Sequence, residues 1–109
     1  MGVGYAYLLA AILLETAGTT CMRLAEGFSR PLPAVLMFAC YGGCFAMLTL
    51  ALRSLQMGAC YAIWSGLGTC IIAIIGVVAF AEPMSGAKAF ALLLIVAGVV
   101  GLQLAGVER

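Results

Sequence analysis

The charged residues of this 109-residue chain are spaced so widely that they constrain its fold class before any motif is considered. They are Glu15, Arg23, Glu26, Arg30, Arg53, Glu82, Lys88, Glu108 and Arg109. The intervals between them are long enough to cross a hydrocarbon core, which takes about 20 apolar residues. Hydrophobic residues make up 66% of the chain and charged residues 8%, whereas about 25% of a soluble domain is charged, so a soluble globular fold is excluded. The expectation is an all-α membrane protein with four transmembrane helices in one domain spanning residues 1–109. The helices are expected over about 3–22, 32–52, 58–80 and 86–105.

The connections RLAEGFSRP, RSLQM and AEPMS carry the Gly, Pro and Ser that punctuate helices and are too short to hold a soluble domain. Consecutive helices must therefore run up and down as antiparallel neighbours. The N-terminus lacks the basic region and cleavage site of a secretory signal, so helix 1 is expected to stay as a span. Cys21, Cys40, Cys44, Cys60 and Cys70 are odd in number and lie within helices, where free cysteine behaves as a small hydrophobe. No disulfide framework is expected. Cys40 and Cys44 share a helix face, but without His or a nearby carboxylate they do not make a metal site.

Four spans place both termini on one side, with Arg53 and Arg109, and leave Arg23, Arg30 and Lys88 on the other. This tally of two against three gives the positive-inside rule little to act on. Insertion in both orientations follows, and a chain inserted both ways could pair with its inverted copy. The alternative is a fixed topology set by lipid or by a second, differently biased protein.

Against this sparse charge, LLAAILLETAGTT places a single carboxylate, Glu15, inside helix 1. An acid at that depth costs about 2.5–3.5 kcal/mol on insertion scales, which makes it a functional candidate by default. Every Lys and Arg lies in a loop or at the C-terminus, so Glu15 has no buried counter-ion of its own. Such a group can be neutralised by a proton or by a cation. Leu8, Ala11, Ile12, Gly18, Thr19 and Met22 share its helix face. Gly18 leaves room beside the carboxylate and Thr19 can hydrogen-bond to a neighbouring helix. The plainer reading is a neutral acid serving as packing glue.

Helix 3 contains CYAIWSGLGT, with Tyr61 and Trp64 three residues apart. Aromatic rings attract cations through their quadrupole, so together with a carboxylate they would suit an organic cation. They are equally the residues that anchor spans at the membrane interface. Gly66 and Gly68 read either as a hinge or as close-packing contacts. In helix 2, Tyr41 stands one turn before Phe45. Ala91, Ala97, Gly98, Gly101 and Ala105 on helix 4 suit tight helix association, and that helix reads as a dimerisation arm. The sequence has no phosphate-binding loop, no His and no Ser-His-Asp set, so neither ATP-driven transport nor enzymatic hydrolysis is supported. A proton gradient acting on Glu15, with no cofactor and no nucleic-acid partner, is the remaining energy source.

The strings ETAGTTCMRLAEGFSRPLP and YAIWSGLG resemble the small multidrug resistance transporters, bacterial proton-coupled exporters of organic cations, and the match covers essentially the whole chain. The resemblance implies an antiparallel homodimer in the bacterial inner membrane, in which the two copies of Glu15 bind either protons or cargo. It implies a substrate chamber lined by Tyr5, Leu8, Ala11, Gly18, Thr19, Tyr41, Phe45, Tyr61 and Trp64, and a helix 3 kink at Gly66 and Gly68. It also implies a dimer interface around Ala91, Gly98 and Gly101. The guanidinium-exporting branch typically has Trp where this chain has Gly18 and Lys where it has Gln103. Both departures favour the quaternary-ammonium branch, whereas Ala46, where some multidrug members have Trp, favours a less aromatic chamber. Export of guanidinium or polyamines, and service as one subunit of a heterodimeric pair, are the alternatives.

Overall fold

The computed structural model describes residues 2–109. It contains four helices, α1 (Gly2–Leu24), α2 (Pro31–Ala51), α3 (Met57–Phe80) and α4 (Gly86–Ala105), each long and apolar enough to span a bilayer. Their ends fall within two residues of those expected from the charge spacing. α1, α2 and α3 each begin one residue earlier than expected, α1 carries Arg23 and Leu24 on its last turn, and α2 stops at Ala51, before Leu52.

Local chemistry accounts for the boundaries. After α1 the chain enters the left-handed region at Glu26, Gly27 and Phe28, with φ of 47°, 67° and 71°, which reverses its direction. Pro31 and Pro33 open α2, where the missing proline N–H groups leave no helical bond broken. Ala81 ends α3 in a left-handed cap with φ 55°, and Pro83 follows. Ser85 caps α4 by accepting a hydrogen bond from the Lys88 backbone N–H at 3.2 Å.

The principal contacts join α2 to α1, α1 to α3 and α3 to α4. The helices thus form an open row, with Cα extents of 42 × 35 × 17 Å. A row leaves its flanks uncovered. No residue of α4 is buried, and Leu93, Leu94, Val100 and Leu104 point outward. Such surface is stable against lipid tails, which are as apolar as leucine.

The tightest packing lies at one end, where Leu8 and Ile12 of α1 meet Ala51, Leu55, Ala59, Cys60, Ile63 and Val107. Val107 belongs to a C-terminal tail that the sequence reading treated only as a pair of terminal charges. The tail folds back across the α2–α3 connection. Gln56 N–H donates to Val107 O at 2.6 Å, Arg109 N–H donates to Ser54 O at 3.0 Å, and Arg109 Nη1 donates to Leu52 O at 2.8 Å. These bonds satisfy main-chain groups just beyond α2 while Val107, 1% exposed, closes the core. Val107→Ala should weaken this clasp by about 1–3 kcal/mol. Amide hydrogen exchange at Gln56 and Arg109 should speed up roughly 5- to 100-fold, while exchange in the middle of α1 stays unchanged.

Candidate functional site

Glu15 lies midway along α1 on the side that faces α3, half-buried. Its Oε1 accepts a hydrogen bond from Thr19 Oγ1 at 2.8 Å, one helical turn away. The Thr19 hydroxyl has a single proton, already committed to Glu15, so at 2.6 Å it must accept from Tyr41 Oη on α2. The result is a directed chain, Tyr41 to Thr19 to Glu15, linking two helices. Gly18 makes it possible. A Cβ there would lie 3.0 Å from the Tyr41 ring and 3.2 Å from Cys40 Cβ, so the glycine lets α2 approach closely enough for Tyr41 to reach Thr19.

On the α3 side, a Cβ at Gly68 would lie 3.0 Å from Glu15 Oε2. The carboxylate is thus seated directly on the α3 backbone surface. Beside it opens a cavity of about 400 Å³ lined by Glu15, Thr19, Trp64, Ser65, Gly68 and Thr69, with Ile72 and Ala73 at its far end. The hydroxyls on this wall spend their protons inside the protein. Ser65 Oγ donates to Tyr61 O at 2.9 Å and Thr69 Oγ1 to Ser65 O at 2.7 Å. What remains for an occupant is oxygen lone pairs, one carboxylate and the Trp64 indole. The nearby ion pair of the fold, Arg23 with Glu82, does not involve Glu15.

Trp64 is held from two sides. Tyr61 meets it edge-on with ring centroids 5.3 Å apart. Its Nε1 is buried beside the Cys44 thiol of α2, a weak sulfur acceptor, and has no full hydrogen-bond partner among the described residues. The indole thus packs between Tyr61 and Cys44 while lining the α1–α3 cleft.

The remaining expected chamber residues are distributed more widely. Phe45 stacks on Tyr41 at 6.4 Å and extends the aromatic surface outward, 56% exposed. Leu8 and Ala11 are buried in the α1 packing, away from the Glu15 cavity. Tyr5 and Leu8 border a separate apolar hollow of about 340 Å³ between α1, α3 and α4, where Gln103 Nε2 donates to Tyr5 Oη at 3.0 Å. Ala91, Gly98 and Gly101 lie on the exposed surface of α4, and a Cβ on either glycine would meet nothing within 4 Å.

The two glycines expected to kink helix 3 sit in an unbroken α3. Gly68 receives the Glu15 carboxylate. Gly66 receives α4, since a Cβ there would lie 2.9 Å from Val99 Cγ2 and 3.3 Å from Ile95 Cγ2. In this conformation both act as close-packing contacts. The sequence reading left out Ser65, Thr69, Ile72 and Ala73, although their spacing from Trp64 and Gly68 places them on the same helix face. Glu82 falls in the AEPMS connection, where a charge would ordinarily face solvent. In the structure Glu82 turns back onto α3, its N–H donating to Gly76 O at 3.0 Å and its carboxylate 3.8 Å from Arg23 Nη1.

A family model described as Small Multidrug Resistance protein matches residues 3–95, and so takes in all of this cleft. The chain belongs to the small multidrug resistance family. Among its relatives, the multidrug resistance protein EbrA of Bacillus licheniformis is 39% identical over 104 residues, covering 95% of this chain and 99% of its own. The multidrug resistance protein mmr of Mycobacterium bovis is 41% identical, covering 94% and 96%. The multidrug transporter PA4990 of Pseudomonas aeruginosa is 39% identical, covering 92% and 91%. Small multidrug resistance proteins are transporters rather than enzymes, and with four spans this one is a multi-pass membrane protein.

The tight contact at Gly66 gives a direct check on the α3–α4 packing. Gly66→Ala should overpack it and cost about 1–3 kcal/mol, lowering the thermal midpoint in detergent. Gly42→Ala, at a position where a Cβ would meet nothing within 4 Å, should leave the midpoint unchanged or slightly raised.

Proposed function

We propose that this small multidrug resistance protein is a proton-coupled antiporter of hydrophobic or quaternary-ammonium cations. It works as an antiparallel homodimer in the bacterial inner membrane, with protons and cargo competing for the Glu15 carboxylates. The observation that carries this reading is the chemistry of the 400 Å³ cavity, whose polar wall offers lone pairs, a carboxylate and an indole face while its hydroxyl protons are engaged elsewhere. An organic cation needs no hydrogen-bond donor from its host. It needs negative charge, aromatic surface and space, and small-ligand sites run from about 300 to 1,000 Å³.

Coupling follows from electrostatics. Away from bulk water, a carboxylate attracts a cation strongly, and the attraction disappears when a proton neutralises the acid. Binding one cargo cation therefore displaces a proton, and protonation releases the cargo. The same linkage fixes the direction of the pH effect. Affinity should be greatest where Glu15 is ionised, and should fall about tenfold per pH unit below its midpoint for each proton displaced.

Gly18 supports the quaternary-ammonium reading over guanidinium export. With Tyr41 packed against it, the position has no room for the Trp of the guanidinium branch. The homodimer is supported by the open row itself, since α4 is exposed along its length and Gly98 and Gly101 offer a surface that another helix can approach closely. A second copy also brings a second Glu15 to the shared chamber.

Glu15→Gln keeps the size of the side chain and removes its charge. In proteoliposomes carrying this chain alone, the variant should lose both tetraphenylphosphonium binding and tetraphenylphosphonium-driven proton movement. Cargo-driven proton flux surviving in Glu15→Gln would refute the mechanism. Wild-type currents with guanidinium but none with tetraphenylphosphonium would transfer the assignment to the guanidinium branch.

A further inference from the structure

The cleft between α1 and α3 continues past Glu15. Beyond Thr19 it narrows to a second cavity of about 130 Å³ lined by Thr19, Thr20, Arg23, Ile72, Gly76 and Glu82, with Ile75 and Phe80 completing it. Thr19 and Ile72 border both cavities, so the two spaces share a wall. At the outer end, Arg23 lies with its guanidinium carbon 5.0 Å over the Phe80 ring and Nη1 3.8 Å from Glu82 Oε2. Both charged side chains are more than half exposed, at 59% and 53%, so the narrow cavity opens towards the membrane surface.

We infer that this narrow branch is a proton route to Glu15, separate from the wide cavity that takes the cation, with Thr19 as its inner relay and Glu82 as its outer proton acceptor. The inference rests on the proposed role of Glu15 as a proton-binding group. Size makes the first distinction. At about 30 Å³ per molecule the branch has room for roughly four waters, and it is well below the space a drug-sized cation needs. Charge makes the second. Arg23 stands at the mouth paired with Glu82, and Lys88 lies across the neighbouring hollow that also borders Glu82, so the mouth carries a net positive charge that does not attract an organic cation. A proton relayed through Glu82 and water fits this space, whereas an ion of drug size does not.

The polar groups along the branch are oriented for relay. Thr20 Oγ1 donates to Thr16 O at 2.8 Å and so presents lone pairs to water. Thr19 donates to Glu15 and accepts from Tyr41, which leaves one lone pair free. A proton arriving on water forms a new O–H bond at that lone pair while the original Thr19 proton moves to Glu15 Oε1. Thr19 ends neutral, Glu15 becomes neutral, and no other reactant is needed. Gly76 keeps the mouth in place, since a Cβ there would collide with the Glu82 carboxylate.

The test is a pH jump on the full-length protein in lipid, following the Glu15 carboxyl band by time-resolved infrared with no organic cation present. Thr20→Val, which dries one wall at constant volume, and Glu82→Gln, which removes the outer acceptor, should each slow protonation by about tenfold or more. Equilibrium affinity for tetraphenylphosphonium should change by less than about threefold in both, as for substitutions outside the binding surface. Slowing in either variant with affinity preserved supports the route. An unchanged rate in both overturns it and leaves the wide cavity as the path of the proton. Because this arm contains no cargo, its result is independent of whether protons and cations compete, which the Glu15→Gln transport assay decides separately.

Discussion

A carboxylate at membrane depth has few ways to be satisfied, and the arrangement of this chain follows from how Glu15 finds them. One oxygen takes a hydrogen bond from Thr19, itself fed by Tyr41. The other faces the α3 surface at Gly68, beside a cavity with Trp64 on its wall. No Lys or Arg is recruited, although Arg23 lies only two turns further along α1, because Glu82 and Phe80 hold its guanidinium at the outer end of the cleft. Had Arg23 reached inward, the negative charge would be permanently compensated and neither a proton nor a cation would gain by binding.

Small residues let the helices approach closely enough for this arrangement. Gly18 admits Tyr41, Gly68 admits the carboxylate and Gly66 admits Val99 of α4. In lipid, where apolar side chains gain nothing by leaving their surroundings, close contact and interhelical hydrogen bonds supply the association that hydrophobic burial supplies in water. The buried core is correspondingly small and concentrated at the end where Leu8, Leu55 and Val107 meet. The opposite end is held by a weak, half-exposed ion pair and one cation–π contact. The α1–α3 cleft thus runs between a packed end and a weakly held one, which suits the proposed passage of protons and cargo.

Much of this was legible in the sequence because it depends on local pattern. Uninterrupted apolar intervals gave four helices whose ends fall within two residues of those observed, and Pro31, Pro83 and Ser85 mark their boundaries. The isolated acid, and Thr19 one turn from it, could be read from helical periodicity alone. The remainder depended on which helices become neighbours. The contacts that Gly66 and Gly68 make in this conformation are set by what lies opposite each, Val99 and Ile95 for the first and Glu15 for the second. Leu8 and Ala11 share a face with Glu15 on a helical wheel, yet both are buried, Leu8 within the terminal core. The clasp of Val107 and Arg109 over the α2–α3 connection, and the return of Glu82 to Arg23, are contacts between residues far apart in the chain, for which composition and periodicity carry no signal.

The central claim is that one carboxylate is shared between hydrogen ion and cargo, and carbon-13 NMR of the Glu15 carboxyl, titrated in lipid with and without saturating tetraphenylphosphonium, tests it most directly. The account predicts that the cation moves the midpoint to lower pH and that protons appear in solution as it binds. A midpoint that stays in place when the cation is demonstrably bound would contradict it.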